Sequence, residues 1–343
     1  MSQKKPVTVR DIADAAKVSR ATAARALNGY GYVGDDTAVR VQEAAARLGY
    51  RGNRVAQALR QGQMPIVGFV PGDIQNPFFA RIAHDLDGAL RPTRHSLMIA
   101  SSEESIEQER EVVDSLRSLN VRGLIVAPAS ADDTGHLVAL VNEGVPLVII
   151  DRMARDVPCS SVTVDNEGGA REAISYFVSN GHRRIALIHD DSRIVTARER
   201  LGGYVDALTG HGLAVEERLI AVSQSTVEST IEAAIRLFSQ PEPPTALLTV
   251  DSLMTTGALL ALRSMGLSVP HDVSLIGFDD FDLATFTDPQ ITVVSQPVAR
   301  IGAQAVKLLQ DRITGTGEPE ATRFPTRLII RGSVGKPGGQ PRR

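Results

Sequence analysis

The sequence predicts an α/β protein with a small helical domain in front of it. Three observations predict this. Residues 7–60 hold three short helical patterns with a tight joint between the first two. From Ile66 onward, short all-apolar runs alternate with amphipathic helical patterns, as in a parallel sheet covered on both faces. The alternation restarts at Ser161, so two α/β units of about 100–130 residues each are expected.

The helical part opens with Thr8 and Asp11 at capping-box spacing, Asp standing where Glu is usual. Ile12, Ala13 and Ala16 form one apolar face, and Lys17-Val18 is a turn that folds the chain back. Ser19 is placed to cap a second helix over 20–27. Two helices on so short a turn form a helix-turn-helix, whose second helix enters the DNA major groove N-terminus first. That end carries Arg20, Ala21, Thr22 and Arg25. A third helix is expected over 35–48, with Asp35 and Asp36 in its first turn and Gly49 as its stop. Residues 52–63 are good helix formers but make only two turns, marginal in isolation.

In the larger part, strands are expected at 66–70, 97–100, 123–127, 146–150 and 161–164, with helices between them. In the second unit, helices are expected near 167–180, 196–209, 226–239 and 252–265, and strands near 184–189, 218–222, 245–249 and 273–277. Residues 291–294 lead into a helix at 299–309, and a last strand lies near 327–330. The Gly- and Pro-rich tail 335–343 is disordered by composition.

The chain has 343 residues, 43% hydrophobic and 22% charged, as expected of a soluble globular protein. Its net charge of −3 hides a split, +6 over residues 1–63 and −9 over the rest, which suits nucleic acid at one end only. Its single cysteine, Cys159, excludes an intrachain disulfide. No apolar run is long enough to span a membrane, and a cytoplasmic location is expected. There is no P-loop, no Gly-x-Gly-x-x-Gly after a strand, no His-Glu-x-x-His, no Cys-x-x-Cys and no Gly-x-Ser-x-Gly. No catalytic residue, metal ligand or cofactor is therefore assigned, and the protein is not read as an enzyme. His182 is read as structural. The Asp pairs 132–133 and 190–191 read as loop surface, whereas Asp279 directly follows a strand.

The N-terminal residues resemble the DNA-binding domain of the LacI–GalR family of bacterial transcription regulators. The matching pieces are Val7-Thr8, Asp11-Ile12-Ala13, Ala16-x-Val18-Ser19, Thr22, Arg25, Leu27-Asn28, Val33, Thr37, Leu48-Gly49-Tyr50, Asn53 and Val55-Ala56. Lys17 stands where Gly is common, and Ala23-Ala24 where Val-Ser is frequent. The resemblance implies a DNA-binding headpiece at 1–51, with contacts from Thr8, Ser19, Arg20, Ala21, Thr22, Arg25, Asn28, Tyr32 and Thr37. It implies a hinge helix and linker at 52–64, with Asn53, Arg54, Ala56, the wedge Leu59 and Arg60 in the minor groove. It extends to residues 65–334, which resemble a periplasmic-binding-protein-like effector and dimerisation core. Its N-subdomain would be about 65–164 and 296–326, and its C-subdomain about 165–295 and 327–334.

A ligand would then lie between the subdomains at the C-terminal ends of the strands. The positions carried over are Phe78, Phe79, Asp151, Arg198, Asp251, Asp279 and Gln296. Arg198 matches an arginine that sugar-responsive members use on hydroxyls. Asp251-Ser252 replaces the common Asn-Asp pair. The expected partners are pseudo-palindromic double-stranded operator DNA, a small effector of sugar type and a second copy of the chain. The alternatives are a core that responds mainly to a protein partner, or a sugar-binding or sugar-processing protein.

Overall fold

A computed structural model describes residues 7–28, 31–50 and 63–338. The chain forms two compact units, 1–64 and 65–343.

The first unit is three helices, α1 (Val9–Ala16), α2 (Arg20–Asn28) and α3 (Asp35–Leu48). Thr8 caps α1 with both arms of a capping box: its side chain accepts from Asp11 N–H, and Asp11 accepts from Thr8 N–H at 2.7 Å. Lys17 ends α1 in the left-handed region at φ 54°, which turns the chain within one residue. Ser19 Oγ accepts from Thr22 N–H at 3.0 Å and so starts α2. Gly49 closes α3 at φ 66°, a backbone that glycine adopts without strain. Ile12, Ala13, Ala16, Ala23, Val41, Ala44 and Ala45 form the core, whose small side chains let the helices pack closely.

The second unit has two lobes, each on a six-stranded sheet. The first contains β1 (Ile66–Val70), α4 (Pro77–Leu90), β2 (Ser96–Ile99), α5 (Ile106–Ser118), β3 (Gly123–Val126), α6 (Gly135–Asn142), β4 (Leu147–Asp151) and β5 (Ser160–Val164). The chain then enters the second lobe with α7 (Asn166–Ser179), β6 (Ile185–His189), α8 (Val195–Gly210), β7 (Ile220–Val222), α9 (Val227–Phe238), β8 (Ala246–Thr249), α10 (Ser252–Ser264), β9 (Ser274–Phe278), α11 (Asp282–Phe286) and β10 (Thr292–Ser295). It returns to the first lobe for α12 (Val298–Thr314) and β11 (Ala321–Phe324), then crosses back for β12 (Arg327–Ile329). The sheet orders are β11-β5-β4-β3-β1-β2 and β12-β10-β9-β8-β6-β7.

Alternate residues of β1, β3 and β4 serve different cores, which explains why these strands are apolar almost throughout. Val67, Phe69, Val148 and Ile150 pack under α4 and α12, whereas Val70, Leu124, Leu147 and Ile149 pack under α5 and α6. All pairings are parallel except β10 with β12. That exception follows from the last crossing. Only residues 325–326 join β11 to β12, so the chain enters the second sheet from the cleft end and must run against β10.

Two expectations are corrected. β11 is an additional strand; it is a four-residue edge strand, half exposed, with too little alternation to be read from sequence. The tail expected to be disordered from 335 is anchored at its start. Gly335 N–H donates to Ser274 Oγ at 3.0 Å, and Gly335 O lies 3.0 Å from Nε2 of the buried His182. Cys159 is half-buried, and burial pushes its thiol up to about 11, which keeps it protonated.

Candidate functional site

Two regions gather the singled-out residues. In the helical unit, Ser19, Arg20 and Ala21 are exposed at the start of α2, and Thr22 and Arg25 are half-buried one turn on. Arg25 Nε donates to Ala21 O at 3.4 Å, which lays its side chain back along the same helix face. Thr8 lies at the start of α1, Thr37 in the first turn of α3, and Tyr32 is 92% exposed before α3. The Asn28 side chain and Asn53, Arg54, Ala56, Leu59 and Arg60 lie outside the described residues.

In the larger unit, a cavity of about 240 Å³ opens between the lobes at the C-terminal ends of the strands. Phe78 and Phe79 stand on its first-lobe side, at the start of α4, with ring centroids 5.1 Å apart at 65°. Asn76 caps α4 by accepting from Phe78 N–H at 3.0 Å and thereby fixes the pair. Asp151 ends β4 at φ 66°, and Asp279 follows β9 at φ 74°. In both lobes a strand thus ends in a left-handed aspartate whose carboxyl lines the cavity. Glu103, Glu104 and Ser225 also line it with positive φ. Non-glycine residues in this region cost about 1–3 kcal/mol each and concentrate where function needs them.

The charges are arranged in two sets. Arg152 forms a two-pronged ion pair with Glu104, and its Nε lies 3.2 Å from Asp151 Oδ2. Gly72 makes room for this pair, since a Cβ there would lie 2.1 Å from Glu104 Oε1. On the other side, Arg200 stacks over Phe278 at 3.7 Å, donates Nε to Asn166 Oδ1 at 2.9 Å and donates Nη1 to Val250 O. Asp251 caps α10, accepting from Met254 N–H at 2.6 Å and from Ser225 Oγ. Gln296 Nε2 donates to Asp279 Oδ1 at 2.6 Å, while Gln296 Oε1 is buried without a partner. Burial pushes Asp279 up to about 7 and Asp190 up to about 6, and it raises Asp151 and Asp251.

Of the expected cleft residues, Phe78, Phe79, Asp151, Asp251, Asp279 and Gln296 line this cavity, and Arg198 does not. Arg198 is exposed and donates to Ser192 O at 3.3 Å. The buried stripe of α8 runs through Thr196, Ala197, Arg200, Gly203, Tyr204 and Ala207, so the cleft arginine is Arg200, two residues on and nearly opposite around the helix. Asp190, read as loop surface, also lines the cavity. Glu104, Arg152, Arg200 and Ser225 are additions; the 3–4 spacing around Arg200 is the signal that could have found it.

Comparison with known proteins matches residues 8–53 to the bacterial regulatory proteins, lacI family. Residues 156–334 match a periplasmic binding protein-like domain. The chain is 31% identical to catabolite control protein A of Priestia megaterium, over 96% of this chain and 99% of that protein. It belongs to the lacI family of bacterial regulatory proteins. Among solved structures, the lac repressor dimer bound to operator and the anti-inducer ONPF is similar with TM-score 0.85 and 26% identity, over 96% of this chain and 100% of that one. The transcriptional regulator CelR–cellobiose complex is similar with TM-score 0.72 and 31% identity, over 95% and 99%. This family member is a ligand-controlled, DNA-binding transcriptional regulator. No helix among its described residues is long and apolar enough to cross a membrane.

Proposed function

We propose that the protein is a cytoplasmic repressor that binds a pseudo-palindromic operator as a homodimer and changes its hold on DNA when a sugar or sugar derivative enters the cleft. The observation that carries the effector class is the pairing of two walls. Phe78 and Phe79 offer an apolar face, and carboxylates and the free Gln296 Oε1 offer acceptors across from it. A sugar ring has one apolar face and several hydroxyl donors, which suits both. A cavity of about 240 Å³ is small beside the roughly 300–1,000 Å³ of drug-sized sites, which favours a compact ligand. The cellobiose complex of the similar regulator CelR supports the same class.

On DNA, Arg20 and Arg25 each meet a guanine edge, and Ala21 meets a thymine methyl. Thr8, Ser19, Thr22, Asn28, Tyr32 and Thr37 set register on the backbone. Asn53, Arg54, Ala56 and Arg60 flank Leu59, which wedges into a central minor-groove step. One headpiece reads one half-site, so a palindrome requires two copies.

The test is a melting-temperature screen of pentoses, hexoses, disaccharides and nucleosides, followed by operator binding with each hit. A hit should change operator affinity by about 5- to 150-fold, and Asp279→Ala should abolish that change. If no compound both raises the melting temperature and alters operator binding, the small-effector reading falls. Arg25→Ala should cost about 1–3 kcal/mol on the cognate site and relax one base position per half-site. Equal weakening on all sequences would make Arg25 a phosphate contact.

A further inference from the structure

We propose that the effector carries a protonated amine beside its hydroxyls, as an amino sugar does, and that Asp190 and Asp251 hold the ammonium. This rests on the reading that the cleft is the effector site. The cavity is lined by seven carboxyl groups, Asp190, Asp251 and Asp279 among them, against two guanidinium groups. Of those two cations only Arg152 is ion-paired. Arg152 is spent on Glu104 and Asp151 within the first lobe. Arg200 is stacked on Phe278 and tied to the neutral Asn166 and Val250 O, so its charge supports Asp151, Asp251 and Asp279 through space without an ion pair. Among the described residues, no cation forms an ion pair with Asp190, Asp251 or Asp279.

A buried carboxylate without an ion pair is costly to ionise. Burial accordingly pushes Asp279 up to about 7 and Asp190 up to about 6. The charge of Asp251 raises the cost of ionising Asp190, and the Ser225 hydroxyl, which donates to Asp251, lies beside both. An ammonium placed there donates N–H to both carboxylates and favours their ionised forms. A neutral hydroxyl supplies donors but leaves the charge unbalanced.

A second observation points to a ligand in the same cavity. Gln296 is 6% exposed, lines the same cavity, and its Oε1 has no partner. It too calls for a donor. A metal ion is not the occupant these groups suit, since no set of three or more His, Cys, Asp or Glu among the described residues is arranged to hold one.

The test is calorimetric titration of the full chain near neutral pH with D-glucosamine, D-galactosamine and D-mannosamine, each beside its parent hexose and its N-acetyl derivative. At least one amine should bind about tenfold or more tightly than both of its neutral counterparts. Asp251→Asn keeps a good helix cap while removing the charge, and it should reduce that preference to about threefold or less. Asp190→Asn should do the same and carries the comparison alone should the first variant not fold. If a parent hexose or N-acetyl sugar binds as tightly as its amine, the ammonium proposal falls and the cleft reading stands. If none of the nine binds, both fall for this ligand class.

Discussion

On the first-lobe wall of the cleft, Arg152 lies between Glu104 and Asp151, and its charge is consumed inside the lobe. On the second-lobe wall, Asp190, Asp251 and Asp279 face the cavity without an ion-pair partner among the described residues. Both walls are built alike, from strand ends and helix N-termini, and both aim a left-handed aspartate inward. One wall is thus closed by ion pairs, and the other is open, its cation Arg200 bonded to neutral partners and acting on Asp251 and Asp279 only through space. The closed wall suits a surface that must be stable whether or not ligand is present. The open wall stores an imbalance that a ligand relieves, so recognition energy should reside mainly in the second lobe. Contacts between the lobes include Ser252 Oγ donating to Asn76 Oδ1 at 3.1 Å and Arg81 donating to Asp280 O at 3.1 Å.

The largest way to break this contrast is Arg152→Ala. It leaves Glu104 and Asp151 together without their cation and should cost about 3–5 kcal/mol in denaturant unfolding. A much smaller loss would mean that the first wall is not charge-closed.

The second test is pH. Asp279 is raised from 3.8 to about 7, so the folded state favours its neutral form. Below about pH 4 the carboxyl is protonated in both states and contributes nothing. Between about pH 4 and pH 7 the unfolded chain ionises first, so the ligand-free core loses stability as pH rises, by an amount on the order of a few kcal/mol. Asp190, raised to about 6, acts in the same direction. Melting curves should show this decline in wild type and a flatter one in Asp279→Asn; equal slopes would count against the open wall.

Ser252→Ala removes one contact between lobes and should weaken effector binding by about 1 kcal/mol, with little change in unfolding. The smallest effect is expected of Arg198→Ala, within about 0.5 kcal/mol in both effector binding and stability, because this side chain lies off the cleft face. A strong loss of effector response there would restore Arg198 to the site.

Much of the architecture was legible because the strands are apolar on both faces and bounded by helix caps. The strand expected at 273–277 is Ser274–Phe278, and the helix expected at 252–265 is Ser252–Ser264. The headpiece was legible for a different reason, since capping and turn residues such as Thr8, Ser19 and Gly49 act locally. The cleft was harder. Choosing Arg200 over Arg198 requires the rotational phase of α8 against its sheet, which the resemblance alone set wrongly. Asp190 looked like surface because a loop over a cleft and a loop over water have the same polarity. The Arg152–Glu104 pair joins residues 48 apart, and no local pattern announces it.

The three crossings between lobes also govern how the chain can fold as it is made. α12 supplies Ile301, Ala305, Val306, Leu308 and Leu309 to the first-lobe core, and β11 completes that sheet at Phe324. The first lobe therefore cannot finish until nearly the whole chain has been synthesised, although most of it comes early in sequence. The described headpiece core draws on residues no later than Tyr50. At about 5–20 residues per second, it would precede the finished first lobe by roughly 10–50 s. During that interval each nascent chain carries a DNA-binding unit with no completed effector site to govern it.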